Sequence, residues 1–248
     1  MKILKLIIIT MMLAVFSVSV LSAQATQNVL FTSNEITVKR GHHEQFKEGV
    51  KKWKECYLEN KGEGNWNMWH RLQGEGNVYV MTGSKANWAE MDKDDPVNKE
   101  CYAVLLNFIM PHVEKTNFNI AKNMPEISIT WPKDAKHAWV TYYKVKDGIS
   151  FKEIITAVMG AINNKEGSMR SIWREFQGGS SDAPDFMVST PYKTFAALDI
   201  IRDSPLKIYT DAVGSKKAEE MRAKWLQTVT DSWSYIFTLN TEMSHPKP

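Results

Sequence analysis

The sequence predicts an α+β protein made of two copies of one strand–helix–strand–strand–helix unit, on three observations. A hexapeptide returns: Trp69-His70-Arg71-Leu72-Gln73-Gly74 is answered by Trp173-Arg174-Glu175-Phe176-Gln177-Gly178. Its neighbours return in the same order. Val38-Lys39-Arg40-Gly41 corresponds to Val145-Lys146-Asp147-Gly148, and Tyr79–Asp92 aligns without a gap to Phe186–Asp199, pairing Trp88 with Phe195 and Ala89 with Ala196. Finally, the apolar period switches in step in both copies, from alternation to a helical stripe and back. The units span residues 26–131 and 132–248, behind a leader of residues 1–25.

The leader is read from Lys2 and Lys5, the apolar run Ile7–Leu21 and the small residues Ala23-Gln24-Ala25, which suit cleavage after Ala25. A secretory signal peptide has this form, and the run is short for a bilayer span. The expected destination is therefore secreted or periplasmic, with no stable membrane insertion after cleavage. The two leader lysines supply +2 of the formal +3, so the remaining chain is near neutral and offers no electrostatic footing for nucleic acid. Roughly 220 residues then remain, enough for one large core or two joined ones. Cys56 and Cys101 both fall in the first copy, and an oxidising compartment permits a bond between them. Two buried thiols are the other reading.

In the first copy Asn34–Lys39 alternates as a strand and Gly41 breaks it. Phe46, Val50, Trp53 and Tyr57 then share a helical stripe, opposite a charged face of Glu44, Lys47, Glu48, Lys51 and Lys52. A second strand over Asn65–Gln73 places Trp66, Met68, His70 and Leu72 on one face and Asn67, Trp69 and Arg71 on the other. Gly74-Glu75-Gly76 turns into a third strand, Asn77–Thr82. Short helices follow, through Ser84–Asp92 and Cys101–Phe108. Residues 112–123 read equally as helix or strand.

The second copy follows the same course. His137–Lys146 is a strand, and Phe151, Ile154, Ile155, Val158 and Ile162 form a helical stripe. Met169–Gln177 is a strand with Ile172, Arg174 and Phe176 on one face and Ser171, Trp173 and Glu175 on the other. The hairpin is longer here, Gly178–Pro184, which suits either a surface insertion or a cover over a pocket. A third strand, Asp185–Ser189, precedes helical patterns over Tyr192–Asp199 and Lys216–Val229, and residues 232–240 read as strand or helix.

Each unit has the ferredoxin-like order of elements. The repeat, Trp69/Trp173 with Gln73-Gly74/Gln177-Gly178, and the Tyr79–Asp92/Phe186–Asp199 match resemble the dimeric α+β barrel superfamily, carried here as a tandem pair over nearly the whole mature chain. The resemblance implies two four-stranded sheets face to face, helices outside, and a monomer that suffices where single-unit members must dimerise. It also implies a range of activities that includes haem-degrading and cofactor-free monooxygenases, dye-type haem peroxidases, isomerases and proteins of no assigned activity. Its haem-binding members supply a histidine ligand, and His112, directly after Pro111, is the candidate. No member's motif is matched residue by residue.

The chemistry-bearing residues are the polar ones inside the central strands. A charged group within a sheet must be paired or stay near water. The hexapeptides make His70 equivalent to Arg174, and Arg71 to Glu175. Two roles follow: an Arg71–Glu175 ion pair joining the copies, or a pocket lined by His70, Arg71, Arg174 and Glu175 among Trp69 and Trp173, suited to a flat or apolar ligand with an acidic group. His42-His43-Glu44 lacks a third metal ligand at convincing spacing. The Gly-rich, HExxH and Gly-x-Ser-x-Gly patterns do not occur. The expectation is an exported α+β barrel that binds a small apolar or aromatic molecule, with no cofactor required. A haem-dependent or cofactor-free monooxygenase, or a non-catalytic envelope or stress protein acting by surface contacts, are the alternatives.

Overall fold

A computed structural model describes residues 30–246, so the leader falls outside the described residues. Eight strands are present among the described residues: β1 Leu30–Val38, β2 Trp66–Arg71, β3 Asn77–Lys85, β4 Val113–Asn123, β5 His137–Val145, β6 Ile172–Phe176, β7 Phe186–Tyr192 and β8 Val229–His245. They close into one antiparallel barrel in the order β1-β3-β2-β8-β5-β7-β6-β4. Each half contributes its own four-stranded sheet, β4-β1-β3-β2 and β8-β5-β7-β6. The fourth strand of each half pairs with the second strand of the other. That exchange removes every sheet edge and forms two seams, β2–β8 and β4–β6. Residues 112–123 and 232–240, open to helix or strand from sequence, lie mainly in these closing strands.

The helices lie outside. α1 (His43–Glu59), the short α2 (Pro96–Glu100) and the helical turns at Tyr102–His112 cover the first sheet. α3 (Gly148–Glu166), α4 (Pro205–Val213) and α5 (Ser215–Thr228) cover the second. α4 has no counterpart in the sequence reading, although its start is written plainly: Ser204 accepts from the Lys207 amide and Pro205 occupies the first turn. α1 approaches the turns so closely that a Cβ on Gly49 would sit 1.9 Å from the Phe108 carbonyl oxygen.

Three apolar layers result. Phe46, Val50, Met68 and Tyr79 fill the space between α1 and the first sheet. Phe151, Ile155, Trp173, Phe186 and Ile208 fill the equivalent space in the second half. The barrel interior holds Trp69, Val78, Val80, Ala138, Val140, Met187 and Phe237. Alternation along each strand decides which layer a side chain joins. Cys56 and Cys101 form a disulfide that ties the end of α1 to the turn after α2, with α-carbons 5.9 Å apart.

Strand register corrects one inference from the repeat. Trp69 lies opposite Val80 on β3 and Leu239 on β8, whereas Arg174 lies opposite Met187 on β7 and Asn123 on β4. Val80 and Met187 correspond in the gapless Tyr79/Phe186 alignment, so Arg174 occupies the place of Trp69. Glu175 then matches His70, Phe176 matches Arg71 and Trp173 matches Met68. The two tryptophans of the hexapeptides are one residue out of step. In a strand one residue is a change of face: Trp69 is in the barrel and Trp173 is under the helices.

Candidate functional site

The six polar and aromatic residues expected to line one pocket divide between three places. Trp69, Arg71 and Arg174 point into the barrel. His70 points outward into the α1 layer, and Trp173 and Glu175 point outward on the second half. The Arg71–Glu175 ion pair therefore does not form: Glu175 meets Lys152 of α3 at 2.7 Å. Facing opposite sides of the barrel wall, the two side chains cannot meet. Trp173 stacks on Tyr143 with ring centroids 5.8 Å apart, and its indole N–H is buried without an acceptor among the described residues.

Around His70 the fold assembles a chain of hydrogen bonds. His70 is the last helix-facing residue of β2, Asn77 and Tyr79 open β3 across the Gly74–Gly76 turn, and His43 is the first residue of α1. His70 Nε2 lies 2.8 Å from Asn77 Oδ1, and Asn77 Nδ2 lies 2.5 Å from His43 Nδ1. The Tyr79 hydroxyl reaches the same His43 nitrogen at 3.3 Å. These partners assign the tautomers. An amide oxygen only accepts, so His70 carries its proton on Nε2 and keeps its lone pair on Nδ1. An amide nitrogen only donates, so His43 accepts on Nδ1 and turns its Nε2–H towards Glu44, 3.4 Å away. The His70 ring also stacks on Tyr79, centroids 4.6 Å apart. Burial holds His70 below the ordinary histidine pKa, with Asn77 opposing and the charges of Lys47 and Arg71 adding to the depression. Burial likewise keeps the Tyr79 phenol protonated well above its ordinary range. His70 is thus a neutral imidazole with one fixed tautomer, partly open to solvent. Asn77 and Tyr79 were not singled out from sequence, and His43 was weighed only with His42 and Glu44 as a metal site. Their signal was present, since both histidines flank turn glycines that the fold brings to one end of the barrel.

His112 stands beside this group. Its Nδ1 is 2.9 Å from Nδ1 of His42, so the pair shares one proton between two ring nitrogens. A haem does not fit here without repacking. The layer beneath α1 is filled by Phe46, Tyr79 and Ile109, and the layer of the second half by Tyr143, Phe151, Trp173, Phe186 and Trp225, with no histidine in that stack. No group of three or more metal-ligating side chains is found among the described residues. Two shallow surface hollows of about 310 Å³ each, one beside Trp225 and Val229 and one beside Lys51 and Leu58, contain none of the candidate residues.

Inside the barrel, Arg174 is 8% exposed. Its Nε donates to Asn123 Oδ1 at 2.9 Å and its Nη1 to Ser189 Oγ at 3.3 Å, while the guanidinium lies 4.0 Å over the Phe31 ring. Burial pushes its pKa down to about 10. Arg71 stacks 4.5 Å over Tyr235, donates to the Glu75 carbonyl, and buries an Nε with no acceptor. Gly74 makes this approach possible: a Cβ there would sit 2.9 Å from the Tyr235 ring.

No family model and no curated protein matches the chain. Solved structures share its fold. A candidate monooxygenase from Lactobacillus acidophilus superposes with a TM-score of 0.53 at 12% identity, over 89% of this chain and 100% of its own. An anthrone oxidase-like protein gives 0.51 at 8% identity, over 86% and 92%. A mutant chlorite dismutase from Candidatus Nitrospira defluvii, in complex with cyanide, gives 0.51 at 9% identity, over 87% and 92%. At such identities the likeness concerns the fold: a closed eight-stranded barrel of paired ferredoxin-like units.

Proposed function

We propose that this chain is a small-molecule enzyme of the cofactor-free oxygenase type, with His70 as its general base. The observation that carries this reading is the His70–Asn77–His43 chain, which fixes a neutral imidazole with Nδ1 unprotonated at the edge of the sheet–helix layer. A base held neutral below neutral pH suits removal of a proton from an electron-rich hydroxylated aromatic. The resulting anion reacts with dioxygen directly, one oxygen atom entering the substrate and the other leaving as water. Lys47, whose charge acts on His70, favours that anion over its neutral parent. The architecture shared with a candidate monooxygenase and an anthrone oxidase-like protein supports the reading without assigning a substrate.

The test is oxygen uptake by protein freed of metal and haem, with anthrones and polycyclic quinols as substrates. Turnover is expected, with His70→Ala slowing kcat by roughly 10²-fold or more. The rate should rise with pH through a value below 6.5 and then stay flat. No uptake, or a His70→Ala variant as fast as the parent, overturns the proposal. Added haem that gives a sharp Soret band lost in His112→Ala would replace it with the haem-dependent reading. We further propose that the protein works outside the cytosol. The leader composition and the Cys56–Cys101 bond support this, since such bonds persist in oxidising compartments.

A further inference from the structure

The barrel interior carries two guanidiniums that no carboxylate among the described residues pairs with, and no step proposed for His70 uses them. Arg174 is more than nine-tenths buried, and no carboxylate lies within ion-pair distance of it among the described residues. Arg71, from the other half, is also without a carboxylate partner and holds a buried Nε that meets no acceptor. Arg71 lies over the Tyr235 ring, and that ring is 6.5 Å from the ring of Tyr142, whose hydroxyl feels the charges of both guanidiniums and of Glu35. Aromatic rings form the walls, Phe31 under Arg174 and Tyr235 under Arg71, with Tyr142 stacked on Trp233 at 5.6 Å.

This end of the barrel is open on the β4 side. Asn117 and Asn119 lie on the interior-facing side of β4, opposite Glu35 and Ser33; Asn117 is exposed and Asn119 half-buried. The longer hairpin of the second half leans over the same opening. Its Ser181 carbonyl accepts from Lys144 Nζ at 2.7 Å, and a Cβ on Gly179 would lie 3.9 Å from Asn119 Oδ1. The hairpin, read from sequence as either an insertion or a cover, thus sits at the mouth.

We propose that this mouth binds a planar aromatic monocarboxylate, its acid group between Arg71 and Arg174 and its ring against Phe31, Tyr142 and Tyr235. Buried arginine is the side chain suited to a carboxylate, because its planar fork donates two parallel hydrogen bonds. The aromatic walls favour a flat ligand over an inorganic anion. Glu35 in the same lining disfavours a dianion. The site is separate from His70, which lies on the other side of the barrel wall.

The experiment is calorimetric titration of the full chain with 2-naphthoate, with inorganic phosphate as the comparison anion, in the parent protein and in Arg71→Met and Arg174→Met. Naphthoate should bind with one site per chain. Each variant should weaken it roughly tenfold or more, the loss expected of one charged hydrogen-bonding partner. Phosphate should not bind. If Arg174→Met fails to fold, Arg71→Met at the mouth and ligand-induced thermal stabilisation of the parent decide the matter. Absence of naphthoate binding, binding unchanged in the folded variants, or equal binding of phosphate overturns the proposal.

Discussion

Arg174 shows how one side chain can oppose stability. Burial pushes its pKa from the ordinary arginine value down to about 10, so holding the charge costs about 3 kcal/mol. The sign is that of a cation depressed by burial: the cost is present at every pH below about 10 and is relieved only as pH climbs from there towards the ordinary arginine value. The Phe31 ring returns roughly 1–2 kcal/mol. Replacing a buried charge by an apolar side chain of similar length is often neutral or stabilising. Asn123, partly exposed, can turn to water. Arg174→Met should therefore melt at the parent temperature or a few degrees above it, and a fall of more than about 5 °C would show that the guanidinium is structurally required. A second residue-scale test concerns Trp173. Its N–H is buried without an acceptor, so Trp173→Phe removes apolar area and an unsatisfied donor together. The expected cost is below about 1 kcal/mol in chemical denaturation, less than a core Trp truncation ordinarily gives. His70 adds a pH dependence. Its folded pKa lies below the unfolded value of 6.5, so the unfolded chain binds the proton first. The stability it contributes is complete above 6.5 and declines as pH falls through that value towards the folded one.

At the level of elements, the disulfide and the repeat behave differently. The Cys56–Cys101 bond closes a loop of 45 residues, worth about 4 kcal/mol if its effect lies in the unfolded chain. Reduction should lower the melting temperature by roughly 10 °C, and α1 with the turns at Tyr102–His112 should lose amide protection before α3 does. The strand and helix pattern was legible where glycine marks a switch of period: Gly41, Gly74, Gly148 and Gly178 all stand at element boundaries. Face assignment within a single strand was legible too. His70 and Arg71 were placed on opposite sides, as they are. The cross-copy equivalence was not legible, because Trp69 and Trp173 match by identity while the ladders set them one residue apart. A hairpin absorbs such a slip invisibly, since only the partner strand reveals register. The proposed site was half visible for the same reason. Arg71 and Arg174 were named for a shared lining, while Asn77, Tyr79 and His43 joined His70 through contacts that local pattern does not encode.

On the scale of the whole molecule, the interior determines what each half can do alone. Trp69, Val78 and Val80 from the first half meet Ala138, Val140, Met187 and Phe237 from the second. Separated, either half would expose one apolar sheet face and two strand edges, since β2 and β4 each lose a partner across a seam. A fragment of residues 30–136 should therefore self-associate, pairing β2 of one copy with β4 of another, while the chain of residues 26–248 stays monomeric at the same concentration. Light scattering on a sizing column checks both. The seams are unequal: β4 and β6 pair over three residues, Ala121–Asn123 with Arg174–Phe176, whereas β2 and β8 pair over five. The shorter ladder lies at the open side of the mouth. Opening there admits a ligand to Arg174 without disturbing the two helix-covered layers, as expected if local stability is lowest where a ligand must enter. Hydrogen exchange should find the amides of β6 and the end of β4 faster than those of β5 and β8. Naphthoate should slow the first group selectively. Equal protection around the whole barrel would mean that the short seam is closed as firmly as the long one.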